Sequence, residues 1–169
     1  MRAFEGEYSG RPAGISFREI KKQDMGFLRQ LYSSTRSDEM AMVPWPQEQK
    51  DTFLNSQFDA QHQFYQDQFA EAAFLLVEMR GKPVGRVYLD RRQDELRLID
   101  IAIAPDFRGQ GLGTALLKEL LEECRKMNLP ARIHVEKNNP AMNLYARVGF
   151  KPVEDQGVYD LMEWTPKIS

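Results

Sequence analysis

Residues Ile101–Met127 read IAIAPDFRGQGLGTALLKELLEECRKM. An apolar run meets Pro105 and Arg108, then three glycines in five residues (Gly109, Gly111, Gly113), then apolar residues at helical spacing. A strand, a glycine turn and a helix must follow one another with almost no connecting chain. That demand favours a sheet with helices packed on it. A tight strand-to-helix connection needs one such glycine, or two, but hardly three. Glycines strip side chains from a turn, so that successive backbone N–H groups can face an anion at a helix start. A phosphate loop of the G-x-x-x-x-G-K-[ST] kind is excluded, because no Lys-Ser or Lys-Thr follows. A dinucleotide fingerprint would need its third glycine at 114, which is Thr114. A diphosphate cradle with Arg108 at its rim is the remaining physical reading.

The helix after the turn is the clearest in the chain. Leu112, Leu116, Leu120 and Cys124 recur every four residues, Leu117 and Leu121 widen the stripe, and Lys118, Glu119, Glu122 and Glu123 take the other side. Upstream, GISFREI is an alternating first strand. Asp24 is placed to cap a helix carrying Phe27, Leu28, Leu31 and Tyr32, which fades in STRSDEM. Pro46 suits the start of a second helix reaching about Phe69, with Leu54, Phe58, Tyr65 and Phe69 on one face. The glutamines between them (57, 61, 63, 66, 68) are either a solvated face or one wall of a substrate cleft. AAFLLVEM and VGRVYLD around RGKP read as a hairpin. ELRLIDIAIA is a third strand, expected to place Leu96, Leu98, Asp100 and Ala102 on one face. ARIHVE is a short strand, Asn139 and Pro140 start a helix that Gly149 ends, and FKPVE and VYDLMEW are two last strands. The fold class is α/β or α+β with one mixed sheet.

A length of 169 residues suits one domain. Net charge is −2, with eleven Lys/Arg against thirteen Asp/Glu to Asp90 and twelve against twelve after it. No basic face for nucleic acid is expected. The single cysteine excludes an internal disulfide framework and a cysteine-based zinc site, and fits a reducing cytoplasm. No secretory signal is expected, and no apolar run approaches the ~20 residues that span a bilayer. Residues 1–14, with three glycines and mixed charge, are expected to form a flexible leader, with a single domain over 15–169.

Two blocks together carry a resemblance. IAIAPDFRGQGLGTALL resembles the acetyl-coenzyme-A motif of the GNAT superfamily of N-acetyltransferases, [RQ]-x-x-G-x-[GA], through Arg108, Gly111 and Gly113. NNPAMNLYARVGF is similar to the family's second block through Asn138, Ala141, Leu144, Tyr145, Gly149 and Phe150. The resemblance is clear from about 74 to 150, within a cofactor core over 72–150. It is diffuse across the helices of 24–69, which would flank the acceptor. It implies a single, mostly antiparallel sheet with splayed central strands, and acetyl-CoA as co-substrate without a metal. Backbone at Ile101, Ala102 and Ile103 would pair with the pantetheine arm. Arg108, Gly109, Gln110, Gly111, Leu112 and Gly113 would hold the pyrophosphate, with Asn138 near the thiol end.

Acetyl transfer needs an amine that loses a proton, an oxyanion that is stabilised and a thiolate that is protonated. In the family the tyrosine at the position of Tyr145 often donates to the sulfur. The alternative is a ring packed in the core. A backbone N–H, here that of Ile103, would polarise the thioester carbonyl. Asp100 is a tentative base, or a carboxylate paired with Arg97 or Arg147. His134, Glu136 and a water chain are other candidates. Arg36, Glu39 and Trp45, in a stretch of weak periodicity, are tentative acceptor contacts. The reading is an N-acetyltransferase acting in a ternary complex, first on a small amine or amino-acid-like metabolite. Alternatives are a protein N-terminus or lysine, or a non-catalytic acyl-CoA-binding module. A homodimer is compatible with the family.

Overall fold

The computed structural model describes residues 2–167. Seven strands form one sheet: β1 Ile15–Glu19, β2 Ala73–Met79, β3 Lys82–Arg91, β4 Leu96–Ile103, β5 Ala131–Glu136, β6 Lys151–Gln156 and β7 Tyr159–Trp164. Their order is β1-β2-β3-β4-β5-β7-β6. Every neighbouring pair is antiparallel except β4 and β5, so the expected mixed, mostly antiparallel sheet is found. Five helices accompany it: α1 Met25–Thr35, α2 Ser37–Ala41, α3 Gln47–Gln68, α4 Leu112–Met127 and α5 Met142–Val148. Among the described residues no helix is long and apolar enough to cross a membrane.

The two sheet faces carry two cores. The larger joins Leu96, Leu98 and Ile101 of β4 to Leu116, Leu117 and Leu120 of α4 and Tyr145 of α5. The smaller packs Leu76 of β2 against Leu28, Tyr32, Leu54 and Phe58 of α1 and α3. Leu54 and Phe58 are the buried residues of α3, and the glutamines at 57, 63, 66 and 68 are exposed, as solvated positions should be.

Several local expectations change. α2 occupies part of STRSDEM, where Met40 is buried and supplies the packing that a five-residue helix lacks by propensity. Asp24 precedes α1, yet its carboxylate is taken by Arg18 at 2.8 Å and by the Lys21 N–H at 2.7 Å rather than by the helix. Regular α5 begins at Met142, after a turn in which Asn139 Oδ1 accepts the Ala141 N–H at 2.9 Å. The leader at 2–14 has no regular secondary structure, but Ala3 and Phe4 are buried. Their N–H groups donate to Glu123 and Glu119 of α4, each at 2.6 Å, and Arg11 and Arg91 pair with the same two carboxylates. Glycine content and charge hid this docking, to which an aromatic contact adds: the Phe4 ring lies 4.7 Å from that of Phe17.

Candidate active site

β4 and β5 pair only at Leu96↔Ala131 and Arg97↔Arg132. Beyond Arg97 they part, while β4 stays paired to β3 as far as Ile103↔Gly85 and β5 to β7 as far as Glu136↔Tyr159. The result is a gap with unpaired strand edges on both sides. Ala104 N–H donates to Val84 O on β3 at 2.8 Å, so the N–H and C=O of Ile103, one residue back, point into the gap. The expected arm-binding segment Ile101, Ala102, Ile103 therefore forms one wall of it.

The glycine turn lies where β4 ends. A 3-10 turn over Pro105–Phe107 leads to Arg108, and Gly109 (φ 75°) and Gly111 (φ 79°) adopt the left-handed region. A Cβ on either would meet no atom within 4 Å. Open space above two bare backbone positions is what a bulky anion needs. The first hydrogen bond around α4 is Ala115 N–H to Gly111 O, so the amides of Leu112, Gly113 and Thr114 precede it, at the positive end of the helix dipole. Gly113 differs. Its Cβ would come 3.1 Å from Leu144 Cδ2, so this glycine lets α5 pack on α4. Two of the three glycines build the cradle and the third builds the wall behind it. Gln110 Nε2 donates to Asp106 O across the turn at 3.4 Å. The Arg108 guanidinium folds inward, donating from Nε to Ile103 O at 2.8 Å and from Nη2 to Ser34 Oγ at 3.0 Å.

Tyr145 is 2% exposed, its ring edge-on to Phe150 at 5.8 Å. Burial pushes its phenol above the ordinary value, and the nearby Asp100 carboxylate and Tyr65 add to the shift. The phenol is therefore protonated at neutral pH, the state a donor needs. Asp100 and Tyr145 thus lie within electrostatic reach of each other, although they start on different faces of the sheet.

Asp100 reaches its place through a bulge. The β3–β4 register runs Tyr88↔Asp100 and then Leu89↔Leu98, which leaves Ile99 as the extra residue. Leu96, Leu98 and Ile101 consequently share the α4 face, and Asp100 turns to the α3 side. The strict alternation expected for this strand fails there. The partner of Asp100 is neither Arg97 nor Arg147. Arg86 of β3 donates from Nε to Asp100 Oδ2 at 2.6 Å and from Nη2 to Gln61 Oε1 of α3 at 2.9 Å. Arg86 is 4% exposed, and its guanidinium lies 4.7 Å over the Tyr88 ring. Tyr88 is edge-on to Tyr65 and to Phe74, and its buried hydroxyl has no hydrogen-bond partner among the described residues. Burial raises the phenols of Tyr65 and Tyr88 above their ordinary value. Sequence reasoning passed over Arg86 and Tyr88 as site residues, while Gln61 and Tyr65 belong to the helix weighed there as one wall of a substrate cleft. The available signal was a lone arginine inside the apolar run VGRVYL.

Of the tentative acceptor contacts, Arg36 comes to the gap and pairs with Glu136 of β5 at 3.5 Å and with Glu39 at 3.4 Å. Trp45 instead packs edge-on against Phe53 at 5.5 Å, at the start of α3. Asn138, beside a hollow of about 500 Å³ lined also by Glu136, Val158 and Tyr159, lies in the turn after β5. His62 stacks on Phe58, and His134 contacts Arg97 at 3.1 Å. Burial first and a neighbouring guanidinium second lower both imidazoles below the ordinary value. Among the described residues no group of three or more His, Cys, Asp or Glu could hold a metal ion.

Residues 28–150 match the family model described as Acetyltransferase (GNAT) family. The chain is 26% identical over 140 residues to a putative [ribosomal protein bS18]-alanine N-acetyltransferase of Bacillus subtilis, covering 80% of each. It is 29% identical over 99 residues to an N-alpha-acetyltransferase of Sulfurisphaera tokodaii, covering 50% of this chain and 59% of that one. Its fold matches the PaiA N-acetyltransferase of Thermoplasma acidophilum, solved in complex with coenzyme A. There the TM-score is 0.65 at 17% identity, over 89% of this chain and 98% of the other.

Proposed function

Because the chain belongs to the acetyltransferase (GNAT) family, we propose that it transfers the acetyl group of acetyl-CoA to a primary α-amine by direct attack in a ternary complex. The observation that carries this reading is the pair Gly109 and Gly111. They are left-handed, open above, and set at the start of α4 where the unpaired edge of β4 ends. The pyrophosphate sits on the amides of Gly109–Gly113 and the pantetheine arm runs along Ile101–Ile103, with the Arg108 guanidinium released from Ile103 O and Ser34 to meet the anion. Asn138 contacts the arm near its thiol end.

The amine nitrogen attacks the thioester carbonyl, whose oxygen is held by the Ile103 N–H. The C–S bond breaks as the C–N bond is made. Tyr145 donates its proton to the departing sulfur, and the proton lost from the amine goes to Oδ1 of Asp100, the oxygen that Arg86 leaves free, or to water beside it. The products are an amide and free coenzyme A.

The names of the two sequence relatives favour the N-terminal α-amine of a peptide or protein as acceptor. The second reading is an amino-acid-like small molecule. It is favoured by Arg36, which ties the junction of α1 and α2 to Glu136 of β5 and narrows the cleft on that side. A thiol-release assay over peptides with free N-termini, amino acids and alkyl amines tests both. Burial pushes the thiol of the one cysteine, Cys124, up to about 12, so the protein adds little background to such an assay. Thiol release that depends on a free N-terminal amine is expected. Release that is the same with and without any amine counts against transfer to an amine.

A further inference from the structure

Two carboxylates, Asp100 and Glu136, stand on the parted stretches of β4 and β5, a third, Glu95, stands at their paired end, and each is matched by arginine. Asp100 holds Arg86 at 2.6 Å, Glu136 holds Arg36 at 3.5 Å, and Glu95 holds Arg97 at 2.9 Å and Arg132 at 3.3 Å. The first pair is unusual. Arg86 occupies a strand position facing a helix, where an apolar side chain would pack at less cost. Its stem and guanidinium are buried, yet Asp100 is 26% exposed on the open edge of β4. The carboxylate is presented to the gap, and its charge is offset from behind.

A polycation entering this gap must shed water from several ammonium groups, which requires uncompensated anions at the site. Asp100 alone would supply one. Paired with Arg86, and further fixed through Gln61, it offers almost no net charge. An α-amine needs no such anion. With a pKa near ~8, roughly a quarter of it is neutral at pH 7.5, against about one part in a thousand for an alkyl amine near ~10.4.

We propose that Arg86 sets acceptor specificity through Asp100: by cancelling that carboxylate it keeps the gap neutral and excludes diamines and polyamines. This rests on the α-amine acetyltransferase reading. Arg86 itself does not touch the acceptor and is a positioning residue.

The test is a calorimetric titration of the full chain with spermidine at low ionic strength, with and without coenzyme A. Wild type and Arg86→Lys are expected to show no saturable binding at millimolar spermidine. Arg86→Gln is expected to bind it about tenfold more tightly or better, because one carboxylate is released. The gain should vanish in Arg86→Gln/Asp100→Asn. Gln61→Glu covers the case in which Arg86→Gln does not fold. It adds an anion from the half-exposed face of α3 without emptying a buried position, and should produce the same gain. Tight spermidine binding by wild type, no gain in either variant, or a gain that survives Asp100→Asn would overturn the role of Arg86. The titration needs no turnover. Inactivity on every amine would therefore count against the proposed reaction and not against this role.

Discussion

The guanidinium of Arg86 holds Asp100 at 2.6 Å, three residues past the last pair that joins β4 to β5. One bulged residue, Ile99, makes this contact. Without it Asp100 would point into the α4 core, and Ile101 would point at α3. The bulge thus brings a carboxylate to the gap that a strictly alternating strand would bury. It sits beside the unpaired strand edge proposed to hold the acetyl donor.

Tyr145→Phe removes the phenol hydroxyl and leaves the buried ring. The expected outcome is a fall in kcat of roughly a hundredfold with acetyl-CoA affinity nearly unchanged. Steady-state rates combined with a binding titration check it. An unaltered kcat, with the chemical step shown to limit the rate, sinks the role.

The glycines of the turn should separate into two classes. Gly111→Ala forces a side chain into a left-handed backbone and puts a methyl into the open cradle. Acetyl-CoA affinity should fall by about tenfold or more, since a lost 1.4 kcal/mol is a factor of ten. Gly113→Ala instead presses on Leu144, and should cost about 1 kcal/mol of stability with a smaller effect on affinity. Equal losses of affinity would mean that Gly113 too faces the cofactor.

The leader should contribute to stability. Phe4 is 5% exposed and its N–H is bound by Glu119. Phe4→Ala is expected to cost about 2–3 kcal/mol, below the usual core value because a terminal segment can detach on its own. Urea midpoints of the two proteins measure this. A shift within error would mean that the segment makes no net contribution.

Acid should unfold the protein through paired carboxylates. Arg18 holds Asp24 below its ordinary value. Burial pushes Glu95 and Glu123 up, but Arg97 and Arg132 in one case, and Arg91 with the Ala3 amide in the other, more than offset it. All three are lowered on folding, so the unfolded chain binds more protons in the window below about pH 4.5. Their stabilisation is complete above that window and is lost as pH falls through the folded-state values. Urea midpoints should be level for these groups from pH 7 to about 5 and then drop. A midpoint that rises on acidification would contradict the pairing.

Much of this was readable in the residues, for definite reasons. The stripe of Leu112, Leu116 and Leu120 has helical period and faces the sheet. The cradle is legible because glycine is the one residue for which positive φ costs little. Asp100's face was not legible, because a bulge leaves no mark in a run such as LRLIDIAI. Arg86 was not singled out because its partners, Asp100 and Gln61, lie 14 and 25 residues away and only the fold joins them. The docking of Ala3 and Phe4 depends on Glu119 and Glu123, which the helical pattern assigned to the solvated side and which are both buried.

The most direct measurement is a calorimetric titration of the wild-type protein with acetyl-CoA. Saturable binding of one molecule per chain, weakened by Gly111→Ala, is the expected result. No binding at millimolar acetyl-CoA would contradict the cradle at Gly109–Gly113, and with it the proposed reaction.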